Sequence, residues 1–330
     1  MYLTTLPVDQ AIGHILRHNL SDPHGHKALP KGRVLRSEDL AILRDLGLAQ
    51  VRVAVLEPDD VHEDAAAEQL SRIILGAGVH AAPAHHSRVN MLSEHAGIMR
   101  VDSQALFALN SIDGLTIATL SNHSLVHERQ RIATIKVIPF AVSMLALEQA
   151  AAIGRAAAQP IVQVDRLRAG RVGVLLVGSA AARQRIERSI APAIASRVEA
   201  LGSMILATRF RTPDEAAIAE GLADLLAHGA DLLITAGETS IMDRDDVIPL
   251  GVRQAGGRIE HYGAPVEPGN LLLLAYIDQI AVLGAPGCVR SRDLNIVDLV
   301  LPRLLSGEQL SRHDIIAMGH GGLLAGRGER

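Results

Sequence analysis

Three short apolar runs, Val172–Val177, Ser203–Thr208 and Asp231–Thr235, alternate with two helical patterns, and this series constrains the fold more than any other feature. A strand, helix, strand, helix, strand order is met by a right-handed parallel sheet with helices on its faces. The first helical pattern carries Ile186, Ile190, Ile194, Val198 and Leu201 at steps of three or four, one apolar stripe for a sheet face, with Pro192 set to kink it. The second opens at Thr212-Pro-Asp-Glu215, read as a threonine cap, a proline in first position and a glutamate completing a capping box. Gly229 closes it. Further helices are predicted at Asp246–Gln254 and Val297–Leu305, and further strands at Arg258–His261, Leu271–Ile277 and Gln279–Leu283.

Ahead of this series the pattern differs. Val8–Leu16 reads as a short helix, Ser37 caps a helix that runs to Leu46 and stops at Gly47, and Val51–Leu56 reads as a strand. Ala65–Leu75 and the alanine-rich Leu145–Ala158 read as helices. Between them, Thr116–Leu120 and Arg131–Ile138 are rich in β-branched residues and read as a hairpin-like pair. The polar turn Arg166-Leu-Arg-Ala-Gly170 marks a boundary. The expected organisation is an α+β region over 1–165, as one piece or as two at 1–60 and 61–165, then an α/β domain over 166–310 and a tail over 311–330.

Composition narrows the function. Hydrophobic residues make up 48% of the 330, aromatics only 2% with no tryptophan, so the cores must be aliphatic. The formal net charge of -4 argues against a nucleic-acid partner. The single cysteine, Cys288, leaves no intramolecular disulfide and no four-cysteine zinc site, which fits a reducing cytoplasm. The N-terminus lacks the basic and apolar segments of a signal peptide, and the run Leu271–Ile277 stops at Asp278, short of the roughly 20 apolar residues a bilayer needs. A soluble cytoplasmic protein without a membrane partner is expected. Lysine occurs only at Lys27, Lys31 and Lys136, so any anion contact in the C-terminal half falls to arginine, which grips phosphate bidentately.

The loop after the third run leaves the carboxyl end of its strand, where ligands sit in open parallel sheets and helix N-termini present free N–H groups to anions. Candidate ligand residues are Thr235, Ala236, Gly237, Glu238, Thr239 and Ser240, followed by the acidic set Asp243, Asp245 and Asp246. That set could hold a divalent cation such as Mg2+, with Asp243 and Asp246 as candidate catalytic groups, or Asp245 or Asp246 could simply cap the next helix. A second small-residue loop, Pro286-Gly-Cys-Val-Arg-Ser291, offers backbone N–H groups, Arg290 and the Ser291 hydroxyl, a combination suited to phosphate. Cys288 in such a loop is more often inert than reactive. His14 and His18, and the group His80, His85 and His86, lack the carboxylate or cysteine spacing of a metal site. No nucleophile with a matching base is evident.

On these residues, Val172 to about Gly307 resembles the molybdopterin-binding domain shared by MoeA, MogA and CinA-type proteins. Thr235-Ala-Gly-Glu-Thr-Ser240, Asp243-Arg-Asp-Asp246, Glu267-Pro-Gly-Asn270 and Gly284-Ala-Pro-Gly-Cys288 stand where that family has its pocket loops. The chain looks nearer still to molybdopterin-binding proteins sometimes joined to a MobA-like nucleotidyltransferase, which carry Asp-Arg-x-Asp-Val-Ile-Pro and Pro-Gly-Cys-x-Arg-Ser. Lys31-Gly-Arg-Val-Leu35, Glu63-Asp-Ala-Ala66, Ser87-Arg-Val-Asn90 and Ile135-Lys-Val-Ile-Pro-Phe140 extend that likeness to the N-terminal region.

The resemblance implies a MogA-like three-layer α/β domain with a parallel sheet, binding molybdopterin or a molybdopterin dinucleotide. It adds Pro268, Gly269, Asn270, Pro286, Gly287 and Cys288 to the pocket. It further implies a role in molybdenum cofactor biosynthesis or delivery, homo-oligomers, and a nucleotidyltransferase or apo-molybdoenzyme as partner. Two departures stand out: Glu238 occupies the place of the family's second glycine, and the lysines flanking MoeA's Pro-Gly loop are replaced by Glu267 and Asn270. They rank a binding or carrier role above the alternatives, a Mg-dependent nucleotidyl or molybdenum transferase or nucleotide pyrophosphatase, and a docking partner of a nucleotidyltransferase.

Overall fold

The computed structural model describes residues 1–267 and 269–324. Its chain divides at Asp165/Arg166 into two units, each with its own interior. Among the described residues no helix is long and apolar enough to cross a membrane.

Two aliphatic clusters organise the first unit. One gathers Leu16, Leu29, Leu43, Val51 and Val53 under the antiparallel strands Tyr2–Pro7, Gln50–Val55 and Ile15–Leu16. The other packs helices Glu63–Ile74, Ser103–Asn110 and Met144–Ala156 around a four-stranded antiparallel sheet that includes Arg88–Ser93 and Arg131–Val137. The pair expected at 116–120 and 131–138 is present as Leu115–Thr119 against Arg131–Val137. The helix expected at Val8–Leu16 is absent. Only Val8–Gln10 makes a helical turn, and Ile15–Leu16 is a strand on Gln50–Val55. Gly13, at φ +86, ends the turn by taking the left-handed conformation open to glycine, and this overrides the apolar spacing.

In the second unit the elements are β1 (Arg171–Val177), α1 (Arg183–Ser189), α2 (Ala191–Ala200), β2 (Met204–Arg211), α3 (Glu215–Ala227), β3 (Leu232–Gly237), α4 (Val247–Gln254), β4 (Arg258–Ala264), β5 (Asn270–Ile277), β6 (Ile280–Gly284), α5 (Ile296–Leu305) and α6 (Arg312–Ala317). The sheet order is β2-β1-β3-β6-β5-β4, with the first four strands parallel and β5 antiparallel to both β6 and β4. Alternate side chains of each strand feed opposite faces, as a period of two requires. Val172, Val174, Leu176, Leu232, Ile234 and Leu283 join α1, α2 and α5 on one side. Leu175, Val177, Leu233 and Val282 join α3 and α4 on the other. This is the expected three-layer α/β domain.

Local details correct the sequence reading in two places. The cap of α3 is Asp214, whose carboxylate accepts from the N–H of Ala217, and not Thr212. Pro192 does not kink one helix. It stands in the first turn of a second one, where its missing N–H costs nothing, so the stripe from Ile186 to Val198 is shared by α1 and α2. Helix α4 lies against α3 through Gly251, where a Cβ would stand 2.5 Å from Cγ2 of Ile218. We expect Gly251→Val to lower the unfolding free energy by about 1–3 kcal/mol through overpacking, measured by urea denaturation.

Candidate functional site

Strands β1, β3 and β6 end together, and the segments leaving them form the candidate site. Ala285 N–H donates to the Thr235 carbonyl at 2.8 Å, so the β6 loop starts beside the end of β3. Further out, a Cβ placed on Gly287 would stand 3.1 Å from the Ser240 hydroxyl. The two small-residue loops thus face each other across a gap that only glycine leaves open. Arg290 spans it, its guanidinium 3.4 Å from the carbonyls of Gly237 and Glu238.

Among the described residues the backbone N–H groups of Thr239, Ser240 and Ile241 donate no hydrogen bond within the chain. Successive unpaired N–H groups are the usual element of an anion-binding concavity. A cleft of about 110 Å³ adjoins them, lined by Val177, Gly178, Gly237, Glu238, Asp246 and Ile248. It is smaller than the roughly 300–1,000 Å³ that encloses a drug-sized ligand, so it suits one end of a ligand.

Glu238 replaces a glycine without placing a free carboxylate in the gap. Its Oε2 accepts from the Ser179 N–H at 3.0 Å and the Ser179 hydroxyl at 2.9 Å, and Oε1 accepts from Arg185 at 3.1 Å. These donors, Ser179 first and the Arg185 charge after it, hold the carboxyl below the usual glutamate range. The side chain ties the β3 loop to the β1 loop.

The acidic set is dispersed. Asp246 caps α4, accepting from Val247 N–H at 2.7 Å and from Met242 N–H at 3.0 Å. Asp243 accepts from Asp245 N–H, and Asp245 pairs with Arg253 at 3.1 Å. Among the described residues no group of three or more His, Cys, Asp or Glu side chains is placed to hold a metal ion.

Cys288 and Asn270 meet at the same edge, the Asn270 amide 3.4 Å from Sγ. Burial pushes the Cys288 thiol up, and the charge of Glu267 adds to it against the pull of the Asn270 amide, so the thiol stays protonated at neutral pH. Asn270 Oδ1 and Thr235 Oγ1 are buried without a hydrogen-bond partner. Such atoms cost about 1–3 kcal/mol each when left unpaired, which is the mark of groups that a ligand or ordered water completes. Gly269 turns at φ +84 just before Asn270, and Pro268 lies outside the described residues. Pro286 precedes the helical turn Gly287–Arg290.

The residue that sets the second loop was not singled out from sequence. Arg197 of α2 donates to the carbonyls of Val289 at 3.0 Å and Ser291 at 2.8 Å, and grips Asp298 of α5 through Nε at 2.8 Å. Its side chain is only 11% exposed. Asn295 and Asp298 close a capping box on α5, a spacing legible in the sequence, but nothing in the sequence links them to Arg197.

Residues 173–306 match the family model of a probable molybdopterin binding domain, and residues 5–55 match that of a domain of unknown function. A comparison with curated proteins found no match. Among solved structures, a molybdopterin biosynthesis protein from Mycobacterium abscessus is similar at 17% identity and a TM-score of 0.30, over 42% of this chain and 98% of that one. The molybdopterin biosynthesis MoeA protein from Pyrococcus horikosii is similar at 11% identity and 0.31, over 93% of this chain and 75% of that one. The tungsten cofactor synthesizing protein MoaB from Pyrococcus furiosus is similar at 17% identity and 0.28, over 41% and 91%.

Two outcomes are expected of this site. Arg197→Ala should lower the unfolding free energy by about 2–4 kcal/mol, since it strands Asp298 and two carbonyls, and Arg197→Lys should recover less than half of the loss in urea denaturation. Glu238→Gln should remove stability that is present above the unfolded carboxyl value and lost as pH falls through the depressed folded one. The variant's pH–stability curve should therefore be flatter below about pH 4 than that of the wild type.

Proposed function

We propose that this protein, whose residues 173–306 match the family model of a probable molybdopterin binding domain, holds a molybdopterin species where β1, β3 and β6 end. The observation that carries the reading is the pairing of the unbonded N–H groups of Thr239, Ser240 and Ile241 with the facing loop at Gly287 and Arg290. An anionic phosphate fits that lining, because the donors are backbone N–H groups and a guanidinium. The ring end of the ligand carries N–H groups that can meet the unpaired oxygens of Asn270 and Thr235. The protein would act in molybdenum cofactor biosynthesis or delivery.

Binding is favoured over metal-assisted transfer by the state of the carboxylates. Asp246 has one oxygen on Val247 N–H and the other on Met242 N–H, and Asp245 is paired with Arg253. Each serves the entry to α4. Mg2+ remains a candidate ligand of the bound phosphate, and a nucleotidyltransferase or apo-molybdoenzyme the partner to which the ligand would pass.

Titration of the purified chain with molybdopterin, and separately with its cytidine dinucleotide, should give saturable binding near micromolar, about -8 kcal/mol. Gly287→Val, which presses a side chain onto Ser240, should weaken it roughly tenfold or more while leaving the fold intact by circular dichroism. Absence of saturable binding by either ligand would remove the reading.

A further inference from the structure

The four N-terminal segments that carry the likeness in sequence, at Lys31, Glu63, Ser87 and Lys136, converge on one spot inside the unit Met1–Asp165. Glu63 opens the helix Glu63–Ile74 and is 8% exposed, and Ser87 is 3% exposed. Lys136 Nζ donates to the Ser87 hydroxyl at 2.8 Å, and that hydroxyl in turn donates to the His86 carbonyl at 2.5 Å. The Ser87 N–H is fixed by the Asp64 carboxylate at 2.7 Å. Lys31 arrives through the next residue, Gly32, whose Cβ position would lie 3.7 Å from Glu63 Oε1.

Three features separate this cluster from an ordinary internal ion pair. Among the described residues no ion pair involves Glu63, Lys31 or Lys136, although the charges of both lysines act on Glu63. His86 and Ser87 stand consecutively at φ +49 and +63, a conformation that costs non-glycine residues energy and persists where the surroundings impose it. And the three lysines of the chain include two at this spot, in a protein whose other fixed cations are arginines. A lysine has three N–H donors, of which Lys136 has one on Ser87, so both ammonium groups keep donors for another acceptor. Burial, reinforced by the neighbouring Asp64, raises the Glu63 carboxyl above its ordinary value. Lys31 is exposed and Lys136 half-buried, so the lysine side opens to solvent.

We propose that Lys31 and Lys136 form a second binding site, for the oxyanion of a phosphoryl or carboxylate group, with the Ser87 hydroxyl, itself fixed by Asp64 through the Ser87 N–H, holding Lys136 in position. This site lies wholly within the N-terminal unit and does not depend on the reading of the C-terminal domain.

The test is calorimetric titration of the full chain with inorganic phosphate and, in parallel, with acetate. Saturable binding of phosphate assigns a phosphoryl ligand, and saturable binding of acetate alone a carboxylate; either supports the site. Lys31→Met and Lys136→Met should each weaken the binding roughly tenfold or more, the worth of one charge-assisted hydrogen bond. Lys31 is exposed, so Lys31→Met keeps its fold and decides the matter even if Lys136→Met proves unstable. Binding of neither anion, or binding by Lys31→Met as tight as in the wild type, overturns the proposal.

Discussion

The Arg197 guanidinium is the interaction on which the candidate site of the second unit depends. One planar cation on α2 reaches the Val289 and Ser291 carbonyls and the Asp298 carboxylate, so helix, loop and the start of α5 are joined at a single group. A loop rich in small residues has little side-chain packing with which to define itself. Its backbone carbonyls need partners once they leave solvent, and a guanidinium with five donors in a fixed fork supplies them. With that loop held, Arg290 and Gly287 come to face the β3 loop.

Glu238 does for the β3 loop what Arg197 does for the β6 loop. A carboxylate in place of a small residue looks, in sequence, like a charge aimed at an incoming anion. In the fold it turns back to Ser179 and Arg185 and joins the first and third strand ends. The departure is absorbed structurally, and the positive lining of the gap survives it. The absence of lysine in this half has the same sense. The donors at its candidate site are backbone N–H groups and arginine, whose geometry suits a fixed oxyanion better than a mobile point charge.

The two units put polar groups to different uses. In the C-terminal domain two buried polar atoms without a hydrogen-bond partner, on Thr235 and Asn270, lie near strand ends, where the sheet stops and its backbone groups become available. In the N-terminal unit Glu63, Ser87 and Lys136 are gathered from a helix, a strained turn and a strand that are far apart in sequence. Clusters of that sort are expensive to assemble, because Glu63 and Ser87 are desolvated, and they hold only when the surrounding aliphatic core fixes each element.

Much of the fold was legible because it is set locally. The apolar runs that became β1, β2 and β3, the glycine at 229 and the stripe from Ile186 to Val198 are short-range patterns, and periodicity with turn residues is enough to order them. The likeness to a molybdopterin-binding domain likewise followed from local loop sequences, and the family match over 173–306 agrees with it. What the sequence could not decide was every matter settled by distance through space. The reversal of β5, the direction of the Glu238 side chain, the grip of Arg197 on residues about a hundred positions away and the meeting of Lys31, Glu63, Ser87 and Lys136 all depend on which surfaces the core brings together. Side-chain partners are chosen after the backbone is placed, by desolvation and hydrogen-bond geometry, and neither is written in the spacing of residues along the chain.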